Sequence, residues 1–390
     1  MKKKKIWIFA GETSGDMYGA RLAVELRKIA AERNEEVEIS GMGSHKMRQA
    51  GVNIILDSSE LDVMGMIEVL KHIFTFVKIF YRLLKQVKSE RPDALVLIDY
   101  PGFNLRFAAK LFGSKIPVIW YISPHVWAWG KGRVPKLGKF CKKILLIFPF
   151  EVDFYRQHRV ENACFVGHPL MEILHEKRDL SLARDNNLIL LLPGSRSMEI
   201  KSLLLPMLES ALELKRRHPE LKFVLPAPRE NICNLCKKIY ADFCAVHPEG
   251  KSINLEFAIG NTHYYQQLSV AAFAASGTVT LESAIMDMPL IAMYKLNWIT
   301  ATLAGLLVKL KYYAMPNIVA DKEIFKEVYQ FGLNKETLVP EMEAILPGGS
   351  RRAEVESGMA EVRAKLSLSD GQQPLNAAAR EIYQTAAGSR

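Results

Sequence analysis

The chain has 390 residues, of which 49% are hydrophobic and 24% are charged, and its formal net charge is +10. This length predicts two domains rather than one, and the composition is ordinary for a globular protein with a hydrophobic core. The apolar stretch after the basic residues 1–5 is too short for a signal peptide, and no uncharged apolar run is long enough to span a bilayer, so we expect a cytoplasmic protein.

The basic excess is the first indication of a partner. It favours a molecule that carries phosphate groups, such as nucleic acid, an anionic membrane or a phosphorylated substrate. A basic surface without a dedicated partner would give the same composition.

The first half of the chain predicts a doubly wound α/β domain. Residues 5–10 form an apolar run that ends in a glycine loop and is followed by a helix-like stretch over residues 17–31. The run at residues 94–98 is apolar throughout, which is typical of a strand buried on both faces of a parallel sheet. Further strands are predicted at residues 37–40, 117–122, 143–148 and 163–166.

The same alternation begins again near residue 188 and predicts a second domain. Its predicted strands are residues 188–192, 222–226, 271–275 and 289–294, with helix-like stretches at 198–217 and 279–286. We expect two Rossmann-like domains facing a cleft, over residues 1–170 and 171–347, and a helical tail over residues 348–390. Ligands of such sheets bind at the carboxyl ends of the strands.

The segment from Met66 to Lys88 is helix-like and mostly apolar, with a stripe of basic residues. A helix of this kind suits the interface of an anionic membrane or contact with acyl chains. A buried core helix whose lysines reach solvent is the alternative, and a second apolar stretch at residues 298–310 fits either interpretation. The candidate contact residues are Ile73, Phe74, Phe76, Val77, Lys78, Phe80 and Arg82.

Two loops of the second half have the character of a nucleotide site. Arg196 follows Pro193-Gly194-Ser195 between a buried strand and a helix, where free N–H groups and a guanidinium could bind a diphosphate. The loop Ser276, Gly277 and Thr278 repeats this arrangement, and Glu282 lies one helical turn further on, where its carboxylate could accept both ribose hydroxyls of a nucleotide. The alternatives are a surface arginine and an ordinary helix-end glutamate, neither of which would bind a ligand.

The first half offers an acceptor loop and an acid. Gly11, Ser14, Gly15 and Asp16 lie in a glycine loop that lacks the third glycine of the dinucleotide fingerprint but could still direct donors at a substrate. Asp99 ends the most hydrophobic strand of the chain. It could be a general base whose pKa rises on burial, or an aspartate that caps the turn after it.

Two further groups of residues leave alternatives open. Trp127 and Trp129 in the loop 123–129 could stack on a sugar or line an acyl path. Cys233, Cys236, Cys244 and His247 have the spacing of zinc ligands, but cysteines one helical turn apart among apolar residues commonly pack as small hydrophobes. No D-x-D pair follows a strand, so we expect no metal ion to carry a diphosphate.

Together these motifs resemble the lipid-A-disaccharide synthase family. They occur in the family's order over nearly the whole chain, and their combination is specific although each is weak alone. The matching segments are residues 10–16, 98–104, 123–129, 167–169, 192–196, 275–282 and 315–317.

The resemblance implies a GT-B architecture and a metal-independent, inverting glycosyl transfer in lipid A biosynthesis. It implies UDP-2,3-diacylglucosamine as donor and 2,3-diacylglucosamine 1-phosphate as acceptor, both substrates, with no cofactor and no nucleic acid. By motif match, Asp99 corresponds to the candidate base, Ser14 to the first glycine loop, and Arg196, Glu282 and Asn317 to positions tied to UDP binding or activity. The family is peripheral to the inner membrane, and a homodimer is one option for its assembly.

Three other functions stay open on the sequence alone. The chain could be another GT-B glycosyltransferase acting on a different lipid, a UDP-sugar 2-epimerase, or a non-catalytic nucleotide-sugar sensor. An epimerase needs no acceptor and no amphipathic helix for acyl chains, so an assay with and without acceptor lipid separates the three.

Overall fold

The computed structural model describes residues 3–58, 73–295 and 310–388, and for residues 73–75 the backbone alone. The chain forms two compact units. The N-terminal unit contains Met1–Glu172 and Leu366–Arg390, and the C-terminal unit contains Ile173–Lys365. The predicted apolar stretch at residues 298–310 lies almost entirely outside the described residues, as does the first part of the predicted helix 66–88.

The N-terminal unit is built on a parallel sheet of seven strands. The strands β1 and β4 lie side by side and are almost wholly buried, because helices cover both faces of such a sheet. The order across the sheet is β3-β2-β1-β4-β5-β6-β7. The strands are β1 (Lys3–Ala10), β2 (Glu36–Gly43), β3 (Asn53–Asp57), β4 (Ala94–Ile98), β5 (Val118–Tyr121), β6 (Lys143–Leu146) and β7 (Ala163–Phe165).

The helices of this unit pack on the sheet largely through aromatic side chains. The ring of Phe107 lies 5.0 Å from that of Phe9 on β1, and the ring of Phe80 lies 5.2 Å from that of Phe103. The helices α3 and α4 therefore share one aromatic cluster with the sheet. The helices are α1 (Thr13–Glu32), α2 (His45–Gln49), α3 (Ile73–Glu90), α4 (Pro101–Leu111), α5 (Val134–Phe140), α6 (Phe150–Gln157) and α7 (Pro169–Glu176), of which α7 continues into the C-terminal unit after Glu172.

The C-terminal unit repeats the design with six parallel strands in the order β10-β9-β8-β11-β12-β13. Its strands are β8 (Asp185–Leu192), β9 (Lys222–Ala227), β10 (Glu256–Ile259), β11 (Ser269–Ala275), β12 (Leu290–Tyr294) and β13 (Lys326–Tyr329). Its helices are α8 (Ser197–Arg217), α9 (Glu230–Val246), α10 (Thr262–Leu268), α11 (Thr278–Ile285), α12 (Met315–Ala320), α13 (Lys335–Ile345) and α14 (Arg352–Leu366).

Both sheets confirm the prediction of two doubly wound Rossmann-like domains. In each unit the strand order reverses beside the first strand, between β1 and β4 and between β8 and β11. The loops that follow these strands diverge at this switch point and leave a crevice there. The predicted acid, glycine loop and phosphate loops all follow one of these four strands.

The end of the chain differs from the predicted separate tail. Helix α14 belongs to the C-terminal unit, whereas the last helix, α15 (Pro374–Ala387), belongs to the N-terminal unit and packs against α1. The apolar face of α15, with Ala379, Ile382 and Tyr383 fully buried, explains this, because such a stripe must be covered. The first boundary, predicted at residue 170, is observed after Glu172.

The cysteines of α9 pack inside the C-terminal unit. Cys233 and Cys236 are 1% and 0% exposed and Cys244 is buried, while His247 lies beyond the end of the helix, with Nδ1 3.7 Å from Glu249. Among the residues that the structure describes, no three His, Cys, Asp or Glu side chains are grouped so that they could hold a metal ion.

The contact between α15 and α1 predicts that the chain end stabilises the N-terminal unit. Tyr383 is fully buried, its hydroxyl donates to Glu35, and Lys4 Nζ lies 5.2 Å from its ring centre. We expect Tyr383→Ala to lower the free energy of unfolding by about 3–5 kcal/mol. Urea unfolding followed by tryptophan fluorescence measures this, since four of the five tryptophans are in this unit. The exposed neighbour Gln384→Ala should change it by less than about 0.5 kcal/mol.

Candidate functional site

The C-terminal unit has a cavity of about 540 Å³ at its switch point. It lies between the loops that follow β8 and β11, the two places where the sequence predicts phosphate-binding loops. The residues that line it include every predicted nucleotide-site residue except Asn317, namely Arg196, Ser276, Gly277, Thr278 and Glu282, together with Glu199, Thr262, His263 and Ile232.

A glycine and a carboxylate fix the conformation of the loop after β8. Glu199 Oε2 accepts hydrogen bonds from the backbone N–H groups of Ser195 at 3.3 Å and Arg196 at 3.4 Å. Gly194 has φ +112°, and a Cβ there would lie 2.5 Å from Glu199 Oε2, so only glycine fits this turn. The Arg196 guanidinium is 84% exposed and 3.5 Å from Glu199, which leaves it available for an anionic ligand.

The loop after β11 presents the start of a helix to the same cavity. Ser276 N–H donates to Met293 O on β12, which fixes the loop, and a Cβ on Gly277 would contact nothing. Helix α11 begins at Thr278, so its first N–H groups and the positive end of its dipole border the cavity. This arrangement suits a phosphate.

Glu282 lines this cavity and has a histidine beside it. Its Oε2 is 3.7 Å from His263 Nε2, and His263 Nδ1 lies 3.2 Å from Lys177 Nζ. The carboxylate is 21% exposed and keeps acceptor capacity for hydroxyl groups. His263 and Lys177 carry no motif signal, because they lie far from Glu282 in the sequence.

Asn317 has a different environment from the other predicted nucleotide-site residues. Its side chain is fully buried and donates to Phe325 O and Glu327 Oε1, each at 2.8 Å, while its own oxygen accepts from the N–H groups of Ile324 and Phe325. These four hydrogen bonds use the whole amide. In the structure Asn317 therefore holds the segment before β13, and it does not line the cavity.

At the switch point of the N-terminal unit, Asp99 lies in a strained turn. Asp99 and Tyr100 both have left-handed backbones, with φ +43° and +47°, a conformation that costs a non-glycine residue about 1–3 kcal/mol. Asn104 stabilises the turn, because its Nδ2 donates to Ile98 O at 3.2 Å and to Asp99 O at 2.8 Å. Such strain in a core element is expected where a side chain must be aimed at a ligand.

Burial is the main cause, and the nearby charge of Glu12 a smaller one, that together raise the pKa of Asp99 to about 7, against a backbone hydrogen bond from Tyr100. Burial is likewise the main cause that raises the pKa of Glu151 to about 8, and the charge of Asp99 makes a minor contribution to that value. Glu151 Oε2 accepts a hydrogen bond from Phe148 N–H at 3.3 Å, and its Oε1 has no partner among the described residues. A carboxyl with a pKa near neutrality can both take up and release a proton.

The residues of the glycine loop after β1 differ in their exposure to solvent. Ser14 is exposed, whereas Gly11 and Gly15 are buried. A Cβ on Gly11 would lie 2.3 Å from the ring of Tyr100, so this glycine is required by the turn that carries Asp99. Asp16 accepts hydrogen bonds from the backbone N–H groups of Ser44, Lys46 and Met47 at 2.6–3.3 Å, which uses its carboxylate to fix the start of α2.

The loop after β5 packs as an aromatic cluster. The ring of Trp127 lies 5.3 Å from those of His125 and Phe150. The neighbouring His168 is buried, and burial lowers its pKa to about 3, so it stays neutral. The exposed Trp129 stacks with the guanidinium of Arg133 at 4.7 Å.

Helix α3 combines core and surface positions. Phe76 and Phe80 contact Phe103, which favours a core role for these two predicted lipid contacts. Val77, Lys78 and Arg82 are exposed. The side chains of Ile73 and Phe74 lie outside the described residues. In the described ranges, no helix has both the length and the hydrophobicity needed to cross a membrane.

Comparisons with known proteins point to one family in sequence and one fold in structure. The lipid-A-disaccharide synthetase family model matches residues 6–380. The lipid-A-disaccharide synthase of Koribacter versatilis (strain Ellin345) is 36% identical over 369 residues, which cover 93% of both chains. The structures of a UDP-GlcNAc 2-epimerase from Neisseria meningitidis, bound to UDP-GlcNAc, and of the calicheamicin glycosyltransferase each align over 99% of both chains with TM-score 0.59, at 14% and 13% identity. The two structural likenesses establish the GT-B fold.

The raised pKa of Asp99 predicts a pH-dependent stability. Between about pH 4 and pH 7 the unfolded chain holds fewer protons at this position than the folded one, so folding loses stability as the pH rises. An amide does not titrate. We therefore compare the free energies of unfolding of Asp99→Asn and of the unmodified protein, measured with urea. As the pH rises from 5 to 8, this difference should shift by about 2 kcal/mol in favour of Asp99→Asn. A difference that does not change with pH would contradict the raised pKa; the surface variant Asp153→Asn is the control.

Proposed function

Since the chain belongs to the lipid-A-disaccharide synthase family, and is thus a glycosyltransferase of lipid A biosynthesis, we propose that it joins UDP-2,3-diacylglucosamine to 2,3-diacylglucosamine 1-phosphate. The products are the β-1,6-linked lipid A disaccharide 1-phosphate and UDP. The proposal is carried by one observation: a carboxyl with a pKa near 7, Asp99, is held in a strained turn at the switch point of the N-terminal unit.

The donor's nucleotide binds in the cavity of the C-terminal unit. Glu282 accepts hydrogen bonds from the ribose hydroxyls, and the diphosphate lies against the first N–H groups of α11 and the loop at Ser195. Arg196, which is exposed at this loop, forms a charge-assisted pair with the diphosphate. The volume of about 540 Å³ is within the range of small-molecule sites.

The acceptor's 6-hydroxyl is activated by Asp99. Near neutral pH a large share of this carboxyl is ionised, and the ionised form takes the hydroxyl proton while the oxygen attacks the anomeric carbon of the donor. Attack from the face opposite UDP inverts that carbon and gives the β-linkage. The strained turn and Asn104 hold the carboxyl in place, so little reorganisation is needed at the moment of transfer.

Departure of UDP needs positive charge where the diphosphate gains negative charge. Arg196 and the dipole of α11 supply it. We propose that these groups replace a metal ion, and that the reaction needs no cofactor.

The substrates are lipids, and we propose that the enzyme works on the cytoplasmic surface of the inner membrane. Val77, Lys78 and Arg82 on the exposed side of α3 combine an apolar contact with positive charge, as an anionic lipid surface requires.

A direct assay tests the reaction and its base. Purified protein given both lipids should form the disaccharide 1-phosphate, identified by mass, and UDP should not be released without the acceptor. A UDP-sugar epimerase would convert the donor alone. We expect Asp99→Asn to lower kcat by about 10²- to 10⁴-fold, and the unmodified enzyme to lose activity as the pH falls below about 7. An Asp99→Asn enzyme with near-normal turnover would remove Asp99 from this scheme.

Binding of UDP alone tests the C-terminal cavity. We expect Glu282→Gln to weaken UDP binding about tenfold in calorimetry, because a charged acceptor for two hydroxyls is lost. The matched control is Glu336→Gln, an exposed glutamate in the first turn of α13, outside the cavity. Equal UDP affinity in both variants would exclude the proposed ribose contact.

A further inference from the structure

A second cavity, of about 390 Å³, lies in the N-terminal unit between the helices α4 and α5. It differs from the nucleotide cavity in charge, because the ionisable residues that line it are all cations. The lining consists of Pro101, Gly102, Leu105, Arg106 and Ala109 on α4 and of Arg133, Lys136 and Phe140 on or just before α5. We call it the α4–α5 groove.

Helical spacing brings these residues onto facing stripes. Gly102, Arg106 and Ala109 are four and three residues apart, so they share one side of α4. Lys136 and Phe140 are four residues apart on α5, and Arg133 precedes its first turn. The groove therefore has cationic rims over an apolar floor that includes Leu105 and Phe140.

The cations of the groove are available to a ligand. Arg106 and Lys136 are exposed and have no ion pair with a carboxylate of the residues that the structure describes. Arg133 is half-buried and stacks on Trp129, an arrangement that positions its planar donor group. Three cations converging without an acid suit a phosphate, for which arginine offers paired donors and lysine a point charge.

The charge distribution along the chain supports this choice of ligand. Residues 73–150 contain 14 Lys and Arg but three Asp and Glu, so this stretch has a formal charge of +11, whereas the whole chain has +10. The basic excess is thus concentrated in the part of the N-terminal unit that contains Asp99 and the α4–α5 groove. A generally basic surface does not account for such a concentration.

We propose that Arg106, Arg133 and Lys136 bind the 1-phosphate of the acceptor lipid, an inference that rests on the proposed function. The groove starts at Pro101, two residues after Asp99, and Arg106 lies about 7 Å further along α4, at 1.5 Å per residue. The acceptor's 6-hydroxyl and 1-phosphate are attached through C5 and C1, the two carbons that flank the oxygen of one sugar ring, so the two groups are a few bonds apart. With the phosphate in the groove, the sugar extends back along the start of α4 and its hydroxyl end points to Asp99.

Steady-state kinetics in detergent micelles test the proposal. We expect Arg106→Ala and Lys136→Ala each to raise KM for the acceptor about tenfold or more, because each removes a charge-assisted contact to phosphate. KM for the UDP donor should stay within about twofold. Arg106→Lys, which keeps the charge but not the paired donors, should recover part of the loss.

Two further experiments distinguish phosphate binding in the groove from a general effect of positive charge on these helices. The matched controls Lys110→Ala on α4 and Lys139→Ala on α5 remove equal charge from the same helices outside the groove, and they should leave KM for the acceptor unchanged. An acceptor that lacks the 1-phosphate should be used equally by the unmodified enzyme and by Arg106→Ala.

The outcomes are distinct. An unchanged acceptor KM in Arg106→Ala and Lys136→Ala overturns the proposal, and so does an equal rise in the Lys110→Ala and Lys139→Ala controls. Loss of binding to vesicles of phosphatidylglycerol and phosphatidylcholine, with the acceptor KM in micelles unchanged, would instead assign the groove to a membrane headgroup. If the unmodified enzyme forms no disaccharide, the proposed function itself fails, and this result is seen before any variant is compared.

Discussion

The reversal of strand order in two parallel sheets is the constraint on which the rest of this structure depends. Parallel strands need a crossover helix each, and when successive crossovers change face, the loops on either side of the reversal separate. In the N-terminal unit this happens between β1 and β4 and in the C-terminal unit between β8 and β11. The sheet cores are buried and apolar, so polar chemistry is confined to these loop ends, where backbone N–H groups and carboxylates meet solvent.

The two switch points create different electrostatic environments from the same geometry. In the C-terminal unit, the loops after β8 and β11 contain glycines, so no side chain at these positions covers the first N–H groups of the helices that follow. This arrangement suits an anion and needs no buried cation. In the N-terminal unit, Asp99 is buried near Glu12, so that desolvation and like charge raise its pKa to near neutrality. Burying that acid and straining its turn both cost stability, and the hydrogen bonds of Asn104 and the packing of Tyr100 on Gly11 offset part of the cost.

The sequence predicts the buried strands well, but it misses three of the four edge strands. The interior strands β1, β4 and β8 are continuous apolar runs, whereas β3, β10 and β13 lie at the sheet edges and are only partly buried, so their composition resembles that of loops. The positions of Asp99 and Arg196 in loops, and of Glu282 in the helix after a loop, follow from the strands that precede them. The hydrogen bonds of Asp16 reach residues 28 to 31 positions away, and those of Asn317 reach across the irregular segment before β13, so no helix or strand periodicity reports either set. The crossing of α15 back to α1 is of the same long-range kind.

The partition of charge explains why the N-terminal unit has cationic helices beside an acidic centre. An acid with a raised pKa works as a base only while its surroundings do not stabilise its ionised form too strongly, so cations must be kept from its immediate contacts. The charge that acts on Asp99 is accordingly that of another acid, Glu12. The cations lie further along α4 and on or just before α5. Burial, Glu12 and the backbone of Tyr100 set the pKa of Asp99, and none of these groups is a cation, so the proposed attraction of a phosphorylated lipid to the groove is separate from the ionisation of the acid. The proposed recognition of the phosphate and the proposed proton transfer thus use separate residues of one unit.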